Sequence, residues 1–172
     1  LADAEIIGCG ARILDDLGVL DRCTLHLNSL GDSESRQAYR AALVDFLNAH
    51  EADLSEDSRT RLTSNPLRIL DSKDAGDRAI IAEAPRLYAF LNDGSRWHFD
   101  SVTGALDGAG ISWNFDPLLV RGLDYYCHTA FEFITDALGA QGTVLGGGRY
   151  DGLSEMLGGP SVPGVGLSLI HI

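Results

Sequence analysis

The sequence predicts an α+β fold in which an antiparallel sheet is flanked by helices and interrupted by a helical insertion. Three observations lead to this prediction. An amphipathic helix and a short alternating segment open the chain, and a polar helical region occupies its middle. After Gly108–Gly110 the apolar period changes from that of a helix to that of a strand. Helices and strands gathered in separate runs of one chain are typical of helices packed on a single antiparallel sheet.

The first 31 residues are predicted to form a helix and a strand. Apolar residues recur at helical spacing from Ala2 to Leu17, and Gly18 is expected to end that helix. Cys23 to Asn28 alternate polar and apolar side chains, which is the pattern of a half-buried strand. Gly31-Asp32 is expected to close this strand.

The segment 32–107 is predicted to be a helical insertion. Ser33 is expected to cap its first helix, and Asn65-Pro66 breaks the helical pattern of Leu54 to Leu62. Further short helices are expected at Ala79–Ala84, Leu87–Leu91 and Ser95–Ala109.

Over half of the basic residues lie between Leu54 and Asp107. Two interpretations stay open: a helical subdomain with a solvated charged face, and a contact surface for a polyanion. The residues are Arg59, Arg61, Arg68, Lys73, Arg78, Arg86 and Arg96.

The segment 108–172 is predicted to supply the other strands. Ile111 to Phe115 alternate, and Thr129–Ile134 and Gly142–Leu145 are expected to form a hairpin. The glycines 146–148 are expected to end the second strand of this hairpin, and Tyr150 to Leu157 can form a short helix.

Charge and cysteine content exclude several classes of protein. The 25 acidic and 13 basic residues give a net charge of −12, which argues against a general nucleic-acid or membrane-surface binder. No apolar run approaches the roughly 20 residues that span a bilayer. The three cysteines lie far apart and form no Cys-x-x-Cys pair, so we expect no metal site, no disulfide framework and a reducing, cytoplasmic compartment.

Two stretches carry candidate chemistry, and the first is Leu119–Tyr126. Arg121, beside a glycine, can approach a phosphate or a carboxylate with both arms of its guanidinium. Tyr125 and Tyr126 add two hydroxyls on aromatic rings, which suit a flat polar ligand. The alternative is an edge strand in which the tyrosines pack and Arg121 pairs with Asp124.

The second stretch is Gly146–Leu153. Its three successive glycines let a ligand lie against bare backbone, and a helix after them would offer free amides to an anion. Arg149 is one of only two Lys or Arg residues after Trp97, so we expect it to have an assigned anion. The alternative is a tight turn from strand to helix with Asp151 in the first helical turn. Together the two stretches favour a pocket for a nucleotide and a small ligand.

These residues resemble a known family. Arg121–Tyr126 and Gly147–Gly152 resemble the two histidine-specific signature motifs of histidyl-tRNA synthetases, which are class II aminoacyl-tRNA synthetases. Asn65–Lys73 is similar to a stretch of that family's helical insertion. The resemblance covers essentially the whole chain. It implies a class II synthetase-type core, with 1–31 and 108–172 as parts of the catalytic core and 32–107 as the insertion.

The resemblance also implies roles for individual residues. Arg121 would lie against the α-phosphate of ATP and the carboxylate of histidine, where other class II enzymes supply a metal ion. Tyr126 would hold the imidazole of L-histidine, with Tyr125 beside it. The implied L-histidine site consists of Arg121, Tyr125, Tyr126 and Tyr150, with the backbone of Gly147 and Gly148 lining the pocket.

The implied function is that of a histidine–tRNA ligase. L-Histidine would be activated by ATP, accompanied by Mg²⁺, to histidyl-adenylate, and the histidyl group would pass to tRNA(His). The basic residues of the insertion would face the tRNA acceptor arm, and the full-length protein would be a homodimer. The family's dimerisation motif and ATP-binding residues are expected outside this chain, so we expect the 172-residue chain alone to be inactive.

Two alternatives stay open. One is the synthetase-like, non-catalytic regulatory subunit of ATP phosphoribosyltransferase in histidine biosynthesis, which shares the fold and much of the first motif. The stretch Asn65–Lys73 and the helical insertion argue against it. The other is a binding module that senses histidine or a nucleotide.

Overall fold

The computed structural model describes residues 1–120, 125–138 and 142–170. These residues form a five-stranded sheet in the order β2-β1-β3-β4-β5, with helices packed against it. The strands are β1 (Thr24–Ser29), β2 (Asn114–Phe115), β3 (Cys127–Ile134), β4 (Thr143–Arg149) and β5 (Val165–Leu169). The helices are α1 (Ala2–Asp16), α2 (Ser33–Ala49), α3 (Glu56–Ser64), α4 (Ala75–Glu83), α5 (Asp93–Gly108) and α6 (Leu153–Met156). The 3₁₀ segments include Pro66–Asp71 and Leu87–Phe90.

The sheet is antiparallel except at one edge. β1 pairs antiparallel with β3, β3 with β4, and β4 with β5. β2 pairs parallel with β1, with His26 opposite Asn114. A parallel neighbour needs a long crossover connection, and helices α2 to α5 supply it. The predicted α+β fold is confirmed. The chain leaves the sheet after β1, forms the helical middle region, and returns to the sheet at β2.

Several predicted elements have different ends in the structure. The prediction that Ser33 caps α2 is wrong, because the carboxylate of Asp32 accepts the hydrogen bond from the Ser35 amide and Ser33 is already helical. The predicted strand Ile111–Phe115 is reduced to its last two residues. The short helix expected from Tyr150 to Leu157 is the single turn α6.

The prediction that glycines 146–148 end a strand is wrong, because β4 continues through them to Arg149. All three glycines pair with residues of both β3 and β5. A Cβ atom on Gly147 would lie 2.6 Å from Cζ of Phe131 and 2.2 Å from the carbonyl oxygen of Gly166. The glycine therefore lets an aromatic ring and a neighbouring backbone approach the strand closely, and it does not mark a turn.

Three hydrophobic clusters organise the described part of the chain, and the smallest of them consists of Leu30, Leu119 and Ala130. The first lies between the sheet and helices α1 and α5, and its fully buried side chains include Ile7, Leu14, Leu27, Leu106, Phe131 and Phe133. The second lies within residues 39–91, and it includes Tyr39, Leu43, Leu47, Ile69, Ile81 and Leu87. Helix α5 thus packs with the sheet, although it lies inside the segment 32–107, and the division of the chain at those boundaries stays a prediction. Among the described residues, none of the helices is long and apolar enough to cross a membrane.

Candidate functional site

Three tyrosines meet where β3 begins and β4 ends. Tyr125 and Tyr126 precede β3, Tyr150 follows β4, and the register places Cys127 opposite Arg149. The ring of Tyr150 lies edge-on to both other rings, with centroids 6.0 Å from Tyr126 and 6.3 Å from Tyr125 at 86°. Tyr125 and Tyr126 are 4.8 Å apart. The antiparallel register therefore brings together three predicted site residues from two separate motifs.

Glycines allow these rings to lie against the backbone. A Cβ atom on Gly148 would lie 3.0 Å from Cδ1 of Tyr126, and one on Gly164 would lie 2.6 Å from Cε2 of Tyr150. A Cβ atom on Gly166 would lie 2.6 Å from the Tyr150 hydroxyl oxygen. The tyrosine cluster thus depends on bare backbone in β4 and at the start of β5.

The two glycines predicted to line the pocket face opposite sides of the sheet. Gly148 faces Tyr126, whereas Gly147 faces Phe131 in the first hydrophobic cluster. This difference follows from the alternation of successive residues in a strand. The structure therefore brings Gly148, but not Gly147, against a tyrosine of the cluster.

Arg121 lies outside the described residues, as do the other three residues of 121–124. Its predicted role as the catalytic cation, and the alternative pairing of Arg121 with Asp124, both stay predictions.

Arg149 binds two carboxylates of its own chain. Its Nε donates to Oδ1 of Asp3 at 2.9 Å, one terminal nitrogen donates to Oδ2 of the same carboxylate, and the other donates to Asp151 at 2.9 Å. Asp3 is fully buried in the first turn of α1. The anion expected for Arg149 is therefore supplied from within the protein, in a bidentate pair that joins α1 to β4.

This ion pair is charged throughout the neutral pH range. Burial disfavours the ionised form of Asp3, but hydrogen bonds from His98, Arg149 and Thr129 outweigh burial and hold the pKa of the carboxyl well below its ordinary value. The hydrogen bonds from Arg149 to Asp3 raise the pKa of the guanidinium above its ordinary value, although burial opposes this.

The same network anchors the segment that carries Tyr150. Oδ1 of Asp151 accepts a hydrogen bond from the Gly164 amide at 3.1 Å, and the Tyr150 amide donates to the Gly164 carbonyl at 2.8 Å. Gly164 also lies beneath the ring of Tyr150. Asp3 and Arg149 therefore hold Tyr150 in place through Asp151. Sequence reasoning missed Asp3, because nothing local connects an acidic residue of the first helix with an arginine 146 positions away.

Two stacked histidines lie beside Asp3. The rings of His98 and His128 are 4.6 Å apart at 26°, and Nε2 of His98 lies 3.3 Å from Oγ1 of Thr129. His128 has a φ of 47° at an irregularity in the pairing of β3 with β4. Burial, followed by the neighbouring His98, lowers the pKa of His128, so its ring is neutral at pH 7. Within the ranges that the structure describes, no group of three or more His, Cys, Asp or Glu side chains could hold a metal ion.

The arrangement suits a small, flat, polar ligand. Tyrosine rings at right angles form a corner with apolar faces, and their hydroxyls can donate or accept hydrogen bonds. The guanidinium of Arg149 is occupied by the carboxylates of Asp3 and Asp151, so it stabilises this corner and offers no unpaired positive charge to a ligand.

Known proteins match this chain over nearly its whole length. Residues 1–171 match the sequence profile of the family described as histidyl-tRNA synthetase. The histidine–tRNA ligase of Rhodospirillum rubrum is 63% identical over 166 residues, which are 96% of this chain and 40% of that protein. The histidine–tRNA ligase of Thermosynechococcus vestitus is 56% identical over 168 residues, which are 98% of this chain and 39% of that protein. The chain spans about two fifths of the length of these relatives.

Solved structures share the fold. Apo histidyl-tRNA synthetase from S. aureus matches with a TM-score of 0.75 at 40% identity, over 98% of this chain and 40% of that one. An ATP phosphoribosyltransferase regulatory subunit/histidyl-tRNA synthetase from Bacillus halodurans matches with a TM-score of 0.56 at 19% identity, over 98% of this chain and 47% of that one, and this likeness concerns the fold alone. The predicted class II synthetase-type core is confirmed. By sequence and by fold, this chain belongs to the histidyl-tRNA synthetase family.

Proposed function

We propose that this chain carries the amino-acid site of a histidine–tRNA ligase, which makes histidyl-adenylate from L-histidine and ATP and then transfers the histidyl group to tRNA(His). The observation that supports this most directly is the meeting of Tyr125, Tyr126 and Tyr150 over glycine backbone, in a chain whose relatives are named histidine–tRNA ligase. The two signature motifs thus contribute to one surface and not to two separate turns.

In the proposed site, Tyr126 and Tyr150 hold the imidazole of L-histidine, and Tyr125 lies beside them. The perpendicular rings offer one face for stacking and one edge for contact, which suits a small aromatic ring. A tyrosine hydroxyl can donate to the unprotonated imidazole nitrogen or accept from the N–H of the other nitrogen. Gly164 and Gly166 fix the position of the Tyr150 ring, and so they fix the size of the corner.

Arg121 is the proposed catalytic cation. When the carboxylate of histidine attacks the α-phosphate of ATP and pyrophosphate leaves, negative charge grows on the phosphate oxygens, and a fixed guanidinium stabilises that charge. Arg121 lies four positions before Tyr125, so it can be at most about 14 Å along the chain from the tyrosines. Mg²⁺ is expected to arrive with ATP as its counterion.

The remaining assignments follow from the family and from the thiols. We propose a homodimer that works in the cytoplasm. Cys9, Cys23 and Cys127 all carry free thiols, which suits a reducing compartment. Size-exclusion chromatography with light scattering on the protein extended to the length of its relatives tests the dimer, and a single-subunit mass would contradict it.

The direct test is histidine-dependent exchange of labelled pyrophosphate into ATP. The reading frame should be extended in both directions to the length of the relatives, because this chain spans only two fifths of them. We expect exchange that requires histidine and no other amino acid. Tight histidine binding without exchange would favour the regulatory subunit of ATP phosphoribosyltransferase or a sensor, and the absence of both binding and exchange would contradict the proposed amino-acid site.

In the same protein, Arg121→Ala is expected to lower kcat about 100- to 1000-fold, since one preorganised cation at a developing negative charge contributes about 3–4 kcal/mol. Binding of tRNA should change little. Arg22→Ala removes the same charge from an exposed position and serves as the control. A loss of less than about threefold for Arg121→Ala would make Arg121 a structural residue.

A further inference from the structure

The backbone of β3 has an unusual conformation at His128. Its φ of 47° is the only positive φ of a residue other than glycine in the described part of the chain. An L-residue in this left-handed region is strained, because its Cβ crowds the following carbonyl oxygen. The pairing of β3 with β4 is irregular at the same place, between Cys127 and Ala130. An irregularity of this kind bends a strand and changes the direction of the side chains beside it.

This bend comes directly after the tyrosines of the candidate site. Tyr126 precedes His128 by two positions, and Cys127 between them lies opposite Arg149. The backbone conformation at 128 therefore helps to set the course of the chain that carries Tyr126. Contacts that hold His128 in its left-handed conformation also keep Tyr126 beside Tyr150.

Two kinds of contact hold His128. Its backbone amide donates to the carbonyl of Gly31 at 2.8 Å, and its own carbonyl accepts from the Leu30 amide at 2.6 Å. Its ring stacks on the ring of His98, which belongs to α5, with centroids 4.6 Å apart. The backbone bonds thus connect the bend to the segment after β1, and the stack connects it to α5.

The ring of His98 is itself fixed by polar contacts. Its Nε2 lies 3.3 Å from Oγ1 of Thr129 and 3.6 Å from Oδ1 of Asp3. Asp3 is buried and bound by Arg149, so it cannot follow a moving partner. His98 therefore offers the ring of His128 a rigid surface.

The stacked position of His128 suits only the neutral form of its ring. Nδ1 is buried, and it makes no hydrogen bond within the described residues. A neutral imidazole tolerates this, because Nδ1 can be the nitrogen that carries no proton. A protonated imidazole has an N–H group on both nitrogens, so it would bury a donor without an acceptor and lose the hydration of that donor.

The charges around the ring also favour the neutral form. Burial has the largest effect on the pKa of His128 and lowers it, and the neighbouring His98 and Arg149 act in the same direction. The carboxylates of nearby aspartates oppose these effects without reversing the shift. A proton therefore enters the ring only below the ordinary pKa of histidine, about 6.5. The titratable and charged groups near the two stacked rings are Asp3 of α1, Asp32 before α2, Arg149 of β4 and Asp151 after β4.

We propose that the stack of His128 on His98 positions Tyr126 in the amino-acid site, and that protonation of His128 releases the stack and weakens the binding of histidine. This role rests on the proposed function, which assigns Tyr126 to the imidazole of the substrate. The step adds one proton from solvent to Nδ1 and is reversible. The ion pair of Asp3 and Arg149 takes no part in it, because the pKa of Asp3 lies well below its ordinary value and the carboxylate stays ionised.

The test measures the Kd for L-histidine by isothermal titration calorimetry between about pH 8 and pH 5, in the protein extended to the length of its relatives. His128→Asn removes the ring and its proton site, and asparagine tolerates a left-handed backbone better than most residues. His50→Asn is the matched control, since the ring of His50 also packs on an aromatic ring, that of Phe46 at 4.5 Å, but at the end of α2. Circular dichroism and thermal melting establish that each variant is folded at each pH.

At pH 8 we expect His128→Asn to bind histidine at least about fivefold more weakly than the parent protein, because small misplacements of positioning groups are costly. As the pH falls, the parent protein should lose its stack and approach the variant, so the ratio of the two Kd values should fall towards unity. L-Histidine itself gains a proton in this range, but this affects both proteins equally and cancels in the ratio. His50→Asn should bind histidine like the parent protein at every pH, and the Kd for ATP should change in neither variant.

A Kd ratio above unity that stays constant with pH would overturn the proton-dependent release. A ratio of unity at every pH, or an equal rise in the Kd for ATP, would overturn the positioning role. If His128→Asn does not fold, His98→Gln decides, because its amide can still donate to Thr129 while the ring that stacks on His128 is lost. We expect the same weaker binding at pH 8 and the same convergence, and a parental Kd for histidine would contradict the proposal.

The exchange assay on the parent protein separates this inference from the proposed function. Histidine binding without exchange would contradict the ligase and leave the positioning role of His128 to be decided by the Kd ratio. Exchange together with an unchanged Kd in His128→Asn would overturn the positioning role alone. A parent protein that binds no histidine at pH 8 would overturn both.

Discussion

At position 166 a glycine leaves room for the hydroxyl of Tyr150. A Cβ atom there would lie 2.6 Å from that oxygen and 3.5 Å from the ring carbon that carries it, while no other atom is closer. The position of a proposed substrate-binding hydroxyl is thus set by the absence of a side chain on the neighbouring strand. A methyl group at 166 would force the hydroxyl to retreat by several tenths of an ångström.

We therefore expect Gly166→Ala to raise the KM for histidine at least about tenfold, because small misplacements of positioning groups are costly. Histidine-dependent pyrophosphate exchange measures this effect. Gly152→Ala is the matched control, since a Cβ atom at 152 meets nothing within 4 Å. An unchanged KM in Gly166→Ala would mean that the Tyr150 hydroxyl does not contact the substrate.

The residues that form the candidate site could be predicted from the sequence, but the surroundings of each of them could be predicted only in part. The three tyrosines and Arg149 stand in recognisable motifs, and the structure brings them to one place. The different surroundings of Gly147 and Gly148 could not be predicted, because they depend on which face of β4 meets Phe131. That face is decided by register with β3, which no local pattern contains.

At the scale of elements, one buried carboxylate joins the helices of the middle region. Asp77, on α4, accepts hydrogen bonds from the amide and the hydroxyl of Ser55, both at 2.8 Å. It also accepts from the hydroxyls of Ser58 and Ser72, both at 2.6 Å. These partners lie at the start of α3 and just after Pro66–Asp71, so a single side chain fixes three elements.

This carboxylate should make stability depend on pH. Burial alone would raise its pKa, but the hydrogen bonds from Ser55, Ser58 and Ser72 lower the pKa from 3.8 to about 2. A group with a depressed folded-state pKa stabilises the fold above its unfolded-state pKa, and this contribution is lost as the pH falls through the folded-state value. We expect the free energy of unfolding in urea to fall between about pH 5 and pH 2.

Asp77→Asn separates this contribution from that of other carboxylates. Its amide group cannot accept the hydrogen bonds at one of the two positions, so we expect a loss of about 3 kcal/mol at pH 7. The variant should also lose part of the pH dependence below pH 5. Equal pH dependence in both proteins would show that Asp77 does not carry it.

Helix α5 contains a glycine that serves no packing purpose. Gly104 is exposed in the middle of the helix, and a Cβ atom there would meet nothing within 4 Å. Gly104→Ala should therefore stabilise the protein by about 0.5–1 kcal/mol, because alanine loses less backbone entropy in a helix. Thermal unfolding should show a Tm about 1–4 °C higher. Gly31→Ala is the contrasting variant. Gly31 has a φ of 63°, and a Cβ atom there would lie 2.7 Å from Cβ of Ser35. We therefore expect this substitution to lower the Tm.

Helices could be predicted better than strand ends. The apolar period of α1, α2 and α5 is a local property, and their predicted positions are confirmed to within a few residues. β2 has only two residues and pairs parallel with a strand about 90 positions earlier. Its existence depends on where the crossover helices return the chain, so sequence period alone could not limit the predicted strand to those two residues.

At the scale of the whole molecule, the ion pair of Asp3 and Arg149 joins α1 to the end of β4. The two residues are 146 positions apart, and both side chains are largely or fully buried. Hydrophobic packing of α1 on the sheet places them together, and hydrogen bonds from the guanidinium then satisfy the carboxylate. The same guanidinium binds Asp151, which holds the segment carrying Tyr150. Stability and the geometry of the candidate site are therefore linked in this one network.

Removing one partner of this ion pair should destabilise the protein more than removing both partners. Arg149→Met leaves the buried carboxylate of Asp3 without its guanidinium, and Asp3→Asn leaves Arg149 with Asp151 as its remaining carboxylate partner, so each should lower the free energy of unfolding by about 3–5 kcal/mol. The double variant has no such orphaned charge, so its loss should be clearly smaller than the sum of the two single losses. Urea unfolding of all four proteins in a double-mutant cycle measures the difference.

The exposed pair of Arg12 and Asp16 supplies the control, because its side chains are 73% and 62% exposed. Asp16→Asn should change the stability by less than about 0.5 kcal/mol. If Asp3→Asn behaved like this surface variant, packing alone would hold α1 on the sheet. If instead the cycle shows strong coupling, and the folded single variants also have a raised KM for histidine, the ion pair both closes the fold and positions Tyr150. Strong coupling with an unchanged KM would mean that the ion pair contributes only to stability. The position of Tyr150 would then be determined by Gly164 and Gly166.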